Sequence, residues 1–147
     1  LYRSLSAEVP DDYYTIEIGK AKTVREGNAL SIITYGMGVH WAEEVSEELG
    51  VDAEIIDLRS LVPLDYEAIE ETVKKTNRVL VLHEDNLYGG LGGEIAAYIS
   101  EHLFEQLDAP VMRVGALDTP IPFSKELEKD YLPKQRLAEQ LRRLMTY

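Results

Sequence analysis

Residues 78–107, RVLVLHEDNLYGGLGGEIAAYISEHLFEQL, decide the fold. The stretch opens on Val79-Leu80-Val81-Leu82, a continuous apolar run with the length and β-branched content of a strand covered on both faces, as in a parallel sheet. His83-Glu84-Asp85 follow, then the cluster Gly89-Gly90-Leu91-Gly92-Gly93. Leu91, Ile95, Ile99, Leu103 and Leu107 then recur on a four-residue beat, which predicts a helix with one face against the sheet. Strand, glycine turn and helix make one βα unit. In an open α/β sheet the carboxyl ends of the strands face the ligand crevice, so His83 to Gly93 is the first place to look for function.

The flanking sequence repeats the pattern. Ala29 to Tyr35 (ALSIITY) predicts a strand, and Gly36-Met37-Gly38 turns it into a helix with Val39, Ala42, Val45 and Leu49 inward, stopped by Gly50. Ala53 to Leu58 predicts the next strand. A helix then opens with Asp65 as N-cap and a Leu64–Ile69 staple, and carries Ile69 and Val73 inward. Val111 to Val114 predicts a fourth core strand, and Asp118-Thr119-Pro120-Ile121-Pro122 must run extended. A last helix follows Pro133, with Leu137, Leu141, Leu144 and Met145 on one face and Arg142 and Arg143 suiting its C-terminal dipole. Residues 1–28 read as a lead-in segment with one strand-like alternation at Tyr14 to Ile18. Residues 29–147 then form one α/β domain, a three-layer α/β/α sandwich with a mostly parallel sheet.

A chain of 147 residues with 45% hydrophobic content can bury a core of its own. Its 27 acidic against 15 basic residues give a net charge of −12, which disfavours nucleic acid and anionic membrane surfaces and favours a basic partner. The absence of cysteine removes disulfides, thiol nucleophiles and thiolate metal sites, and fits a cytoplasmic protein. No apolar stretch approaches the roughly twenty residues of a membrane span. The sequence opens on Leu1 rather than Met, so it reads as a piece of a longer polypeptide or a processed product.

Three constellations invite a chemical reading. Gly36-Met37-Gly38 with Asp57 matches the opening of a dinucleotide fingerprint, but Trp41 stands where its third glycine belongs, and an indole there is expected to hold the helix off the sheet. Gly89 to Gly93 at a helix N-terminus could cradle an anion. Glu94 occupies that field with its own charge, however, and no Lys-Ser/Thr follows. The glycines are better suited to letting the backbone bend and approach another chain closely. His83, Glu84 and Asp85 with His40 and His102 could suggest a metal or acid–base site. Neighbours on a strand point to opposite faces, though, so His83 reads as a hydrogen-bonded packing residue. The charge runs Glu43 to Glu48 and Glu67 to Lys75 read as solvated helix faces.

At His83-Glu84, Gly89 to Ile95, Leu107-Asp108-Ala109-Pro110 and Asp118 to Pro122, the sequence resembles the C-terminal domain of transketolase-like enzymes. More closely, it resembles the β-type part of the thiamine-diphosphate-dependent decarboxylating component of 2-oxo acid dehydrogenase complexes. The likeness runs from Leu1-Tyr2-Arg3 through Ile18 to Ala21, Thr34-Tyr35-Gly36 and Asp57-Leu58-Arg59 to Tyr147. His83-Glu84 and Asp118-Thr119-Pro120 resemble the branched-chain, 2-oxoisovalerate type more than the pyruvate type. The resemblance implies an oxidoreductase whose thiamine diphosphate and magnesium are held by a preceding pyrimidine-binding domain and an α-type part, with no catalytic, cofactor or metal residue in this chain. It implies a homodimer, with Gly89, Gly90, Gly92 and Gly93 at the subunit interface, and a dihydrolipoyl acyltransferase core whose basic subunit-binding domain meets Asp108 and the carboxylate of Tyr147. The competing reading is an independent nucleotide- or small-molecule-binding module built on Gly36 to Gly38 and Gly89 to Gly93.

Overall fold

The structure is a computed structural model that describes residues 5–6 and 8–147. Leu1-Tyr2-Arg3, one of the stretches behind the resemblance, lies outside the described residues. Five strands form one sheet: β1 (Lys22–Arg25), β2 (Leu30–Thr34), β3 (Ala53–Asp57), β4 (Val79–Asn86) and β5 (Met112–Ala116). Their order is β1-β3-β2-β4-β5, with β1 antiparallel to β3 and every other pair parallel. The register places Ile32 of β2 between Ile55 of β3 and Leu80 of β4, and Leu80 in turn beside Met112 of β5. Strand β2 is buried throughout, β3 up to Asp57 and β4 over Val79 to His83, which is what a sheet covered on both faces requires of its sequence.

Five helices supply that cover: α1 (Met37–Leu49), α2 (Tyr66–Thr76), α3 (Leu91–His102), α4 (Lys125–Tyr131) and α5 (Lys134–Leu144). Trp41, Ala42 and Val45 of α1 and Leu137, Leu141 and Leu144 of α5 fill one core with Leu30, Ile32, Leu80 and Leu82. Ile69 and Val73 of α2 and Ile95 and Ile99 of α3 fill the other with Ile33, Val79 and Val81. The result is the expected three-layer α/β/α sandwich. Among the described residues no helix is long and apolar enough to cross a membrane.

The second core contains a polar seam. Buried Ser31 shares hydroxyl bonds of 2.6 Å with both Thr72 and Thr76, and the Thr72 hydroxyl donates to Glu54 at 2.7 Å. Lys75 closes the seam by pairing with the other Glu54 oxygen. Every hydroxyl therefore has a partner, and the 4%-exposed Glu54 is neutralised where an unpaired carboxylate would be costly.

Helix ends follow the sequence signals. Asp65 caps α2 by accepting from the Ala68 N–H, and its second oxygen accepts from Ala21 N–H at 2.9 Å, which ties the lead-in segment to the helix. Gly50 ends α1 in a left-handed conformation. Other expectations fail for identifiable reasons. Tyr14 to Ile18 form no strand, and Ile16 and Ile18 are exposed. The edge strand lies later, at Lys22–Arg25, where Val24 packs on the core and Gly27 allows the chain to lie directly on the Ala53 backbone. The helix of the decisive stretch stops at His102, and Leu107 follows a 3₁₀ turn at Phe104–Gln106. Met145 lies past the end of α5 and is exposed. Trp41 does not hold α1 away, because its indole is buried in the first core. The close approach of helix to sheet is made at Gly38, where any Cβ would collide with the Thr34 hydroxyl.

At the sheet's far margin, among the described residues, β5 has no strand beyond it. Arg136 of α5 reaches that strand and donates to the Gly115 carbonyl at 2.9 Å, while Arg113 projects from β5 itself and donates to the Leu87 carbonyl.

Candidate functional site

The chain leaves β2 for β3 on one side and later enters β4 on the other side of β2, so the sheet's topological switch lies between the loops after β2 and β4. A cavity of about 330 Å³ opens there, lined by Tyr35 after β2, Glu84 and Asp85 of β4, and Ile121, Tyr131 and Leu132 from the C-terminal segment. A second, of about 450 Å³, adjoins it through Ile121 and is lined by Asn86, Tyr88, Asp118, Thr119 and Pro120. The extended Asp118 to Pro122 run thus forms a wall of the crevice. It is fastened to the loop after β4 by Asn86 Nδ2 donating to the Leu117 and Thr119 carbonyls, and by Tyr88 N–H donating to Asp118 Oδ1 at 2.7 Å.

The crevice is apolar at its floor and acidic at its rim. The Tyr131 hydroxyl donates to Asn86 Oδ1 at 2.9 Å. Burial pushes the pKa of both Tyr35 and Tyr131 up, and the nearby Asp85 and Glu84 carboxylates push it further. Among the described residues, carboxylates at Glu84, Asp85, Asp118 and Glu128 and no cation line the two cavities, a field that repels phosphate and carboxylate ligands. The diphosphate of thiamine diphosphate therefore finds no fit here. Among the described residues no group of three or more His, Asp or Glu gathers as a metal site. Asp57, the ribose-binding candidate, is engaged by its own neighbour, accepting from the Arg59 N–H at 3.1 Å.

The glycine cluster divides into two. Gly89 is exposed, has a left-handed φ of 76°, and nothing lies within 4 Å of the space a Cβ would take. Beside it Tyr88 is 87% exposed, so Tyr88-Gly89 is the outward tip of the loop. Gly90 and Gly92 are buried and face inward onto His83. A Cβ on Gly90 would lie 2.6 Å from His83 Cε1, and one on Gly92 would fall inside the ring's van der Waals envelope. The close approach that these two permit is thus to the chain's own imidazole. His83 is fully buried, as a packing residue should be, yet among the described residues neither ring nitrogen has a well-aligned hydrogen-bond partner, only the Asp85 backbone bearing on it, short of what the sequence reading expects. Burial lowers its pKa, with Asp85 pulling upward and the Arg113 charge pushing further down. Glu84, next along β4, is exposed, so the two do not share a ligand.

Asp108 and Tyr147 lie elsewhere. Asp108 precedes β5 at the amino end of the sheet, away from the crevice. It is exposed, its N–H donates to the Asn77 carbonyl at 2.8 Å, and among the described residues its carboxylate bonds to nothing. It therefore does not cap its turn. Tyr147 is half exposed and lines a groove of about 290 Å³ with Pro110, Val111 and Arg143, two residues along the chain from Asp108. The second groove wall, formed by Arg113 and Gln140, was not foreseen, because β5 and α5 meet there only in the fold.

The chain belongs to the transketolase C-terminal domain family: it matches the family description "Transketolase, C-terminal domain" over residues 19–136. It is 47% identical over 121 residues to the 2-oxoisovalerate dehydrogenase subunit beta of Pseudomonas aeruginosa, a match covering 82% of this chain and 35% of that protein. Against the pyruvate dehydrogenase E1 component subunit beta of Bacillus subtilis it is 42% identical over 151 residues, covering 100% of this chain and 46% of the relative. A solved structure described as a split gene transketolase, inactive beta4 tetramer, superposes with a TM-score of 0.77 at 27% identity, over 97% of this chain and 46% of that one. The chain spans less than half the length of each.

Proposed function

We propose that this chain is the C-terminal assembly and partner-binding domain of the beta-type part of a 2-oxo acid dehydrogenase. In this reading the whole enzyme is an oxidoreductase that uses thiamine diphosphate and magnesium to decarboxylate 2-oxoisovalerate and passes the acyl group to the lipoyl group of an acyltransferase core. The likeness to the beta subunit from Pseudomonas aeruginosa carries the proposal, and the acidic crevice is consistent with it because it suits docking rather than diphosphate binding. The cofactor then belongs to the preceding pyrimidine-binding domain and the α-type part, and this chain alone binds neither thiamine diphosphate nor magnesium. Residues 1–18 lead in from that preceding domain, and residues 19–147, β1 included, form the assembly unit.

Two surfaces divide the assembly work in this proposal. The loop of Gly89, Gly90, Gly92 and Gly93 meets a second copy in a homodimer, with the bare Tyr88-Gly89 tip outward and Gly90 and Gly92 shaping it from behind. The unengaged Asp108 carboxylate and Tyr147, at the other end of the sheet, receive the basic partner. A pyruvate-specific enzyme is the second reading, favoured by the match of the Bacillus subtilis relative along the entire chain. The full-length beta subunit, reconstituted with its α-type partner and assayed with an artificial electron acceptor, separates the two. Faster turnover of 2-oxoisovalerate than of pyruvate supports the first, the reverse order the second, and no thiamine-dependent turnover of either removes both.

A further inference from the structure

The strangest group in the molecule is His83. It is the one buried imidazole of the chain's three, and among the described residues neither nitrogen has a well-aligned hydrogen-bond partner, the Asp85 backbone being the one polar backbone group that bears on the ring. Gly90 and Gly92 press on it from the start of α3, and on the β5 side a Cβ at Gly115 would lie 2.9 Å from its Cε1. The ring is fully buried, so bulk solvent does not bathe its nitrogens. A neutral imidazole has one N–H donor and one acceptor, and leaving both unmade is costly. An imidazolium would have two donors and a charge in the same buried shell, which is far worse.

We propose that His83 is a pH-sensitive latch: its neutral ring, enclosed by Gly90, Gly92 and Gly115, holds the Asn86–Gly90 loop closed on the sheet, and gaining a proton releases the loop. The surrounding charges are few. Asp85 on the same strand favours protonation and Arg113 on β5 opposes it. Arg136 of α5 stands behind Gly115, bonded to its carbonyl. Helix α3 presents glycines to the ring, its Glu94 being exposed, and the loop itself carries no charged side chain between Asn86 and Gly90. Opening would cost the loop its bonds from Leu87 N–H to the Ala116 carbonyl and from Tyr88 N–H to Asp118, and with them the shared wall of the larger cavity.

The sign follows from linkage. The closed form holds His83 below its ordinary pKa of about 6.5, and the open form restores that value. The closed loop is therefore fully favoured above pH ~6.5. As pH falls below that, only the open form takes up a proton, so opening rises by up to about tenfold per pH unit until the depressed value is reached.

The test uses the 147-residue chain. Its three histidines give three imidazole Cε1–H signals by NMR, with His40 and His102 as partly or fully exposed internal references. We expect the His83 signal to titrate below the ordinary imidazole value of about 6.5. Protection of the Leu87 and Tyr88 amides, corrected for intrinsic exchange, should fall about tenfold per unit below pH ~6.5 and stay level above it. His83→Gln, which cannot titrate, should flatten that profile. If His83 titrates at or above the ordinary imidazole value of about 6.5, if Leu87 and Tyr88 open independently of pH in the wild-type chain, or if His83→Gln keeps the same slope, the latch is refuted. The first two readings need no variant, so a His83→Gln chain that fails to fold leaves the test intact.

Discussion

Replacing Gly92 by alanine tests whether the glycine cluster is shaped from within. Gly92 is the second residue of α3, where a Cβ ordinarily helps: alanine exceeds glycine by about 0.8–1.0 kcal/mol in a helix interior. Here the added methyl would collide with Cδ2 and Nε2 of His83, while Val81 Cγ1 at 3.4 Å is only an ordinary contact. The ring has nowhere to retreat, since the Gly90 and Gly115 backbones close its Cε1 side. Overpacking a filled site costs about 1–3 kcal/mol, and subtracting the helix gain leaves an expected net loss of about 0–2 kcal/mol, centred on about 1. Urea unfolding followed by circular dichroism should show the midpoint falling with the slope unchanged. Gly93→Ala is the control, because its Cβ would meet only the mobile end of Arg113 at 3.3 Å, and it should lie within about 0.5 kcal/mol of wild type. Adding His83→Ala should make Gly92→Ala much less harmful, a coupling of about 1 kcal/mol or more. A Gly92→Ala chain at least as stable as wild type, or one insensitive to the loss of His83, would show that the glycine is not there for the imidazole.

Leu80 is fully buried at the centre of β4 with neighbours on both sides, so Leu80→Ala should cost about 2–5 kcal/mol in the same assay, and a loss under ~0.5 kcal/mol would contradict the sheet order. Asp65→Ala removes the cap of α2 and the acceptor of Ala21 together, so a loss of about 1–2 kcal/mol is expected, with faster amide exchange at both Ala68 and Ala21. Asp108→Asn keeps shape and removes charge. In the full-length enzyme it should weaken capture by the acyltransferase's subunit-binding domain by about 1–3 kcal/mol in titration calorimetry without altering turnover on an artificial acceptor, and unchanged affinity across salt concentrations would remove Asp108 from the contact.

The strands most legible in the sequence are those that must be apolar on both faces. Val79 to Leu82 and Leu30 to Ile33 are readable because nothing but burial explains such runs. Strand β1 is not, because KTVR has only Val24 to anchor it and its place is fixed by Gly27 lying against Ala53, a contact between distant parts of the chain. Helix α4 escaped for a similar reason: only Tyr131 of its residues is buried, so no apolar beat marks it, although acids at Glu126 and Glu128 with Lys129 after them fit the helix dipole. The strand-end rule located the crevice, but its walls come from Tyr35, Asp85, Ile121 and Tyr131, which periodicity cannot bring together. The isolation of His83 was hidden in the same way, since Gly115, which completes its enclosure, lies on another strand.

The two margins of the sheet are finished differently, and this bears on how the protein behaves at high concentration. Along β3 the outer bonds are taken by the antiparallel β1, a four-residue strand carrying Lys22 and Arg25 that is itself a short, charged edge. Along β5, among the described residues, no strand follows, and an open margin of this kind is a template on which a second molecule can stack its own backbone. Arg136 already occupies the Gly115 carbonyl there, and the Arg113 charge stands on the same strand. An approaching copy would have to displace one guanidinium and bring two Arg113 charges face to face, so runaway fibre growth through this margin is resisted by Arg136 and Arg113.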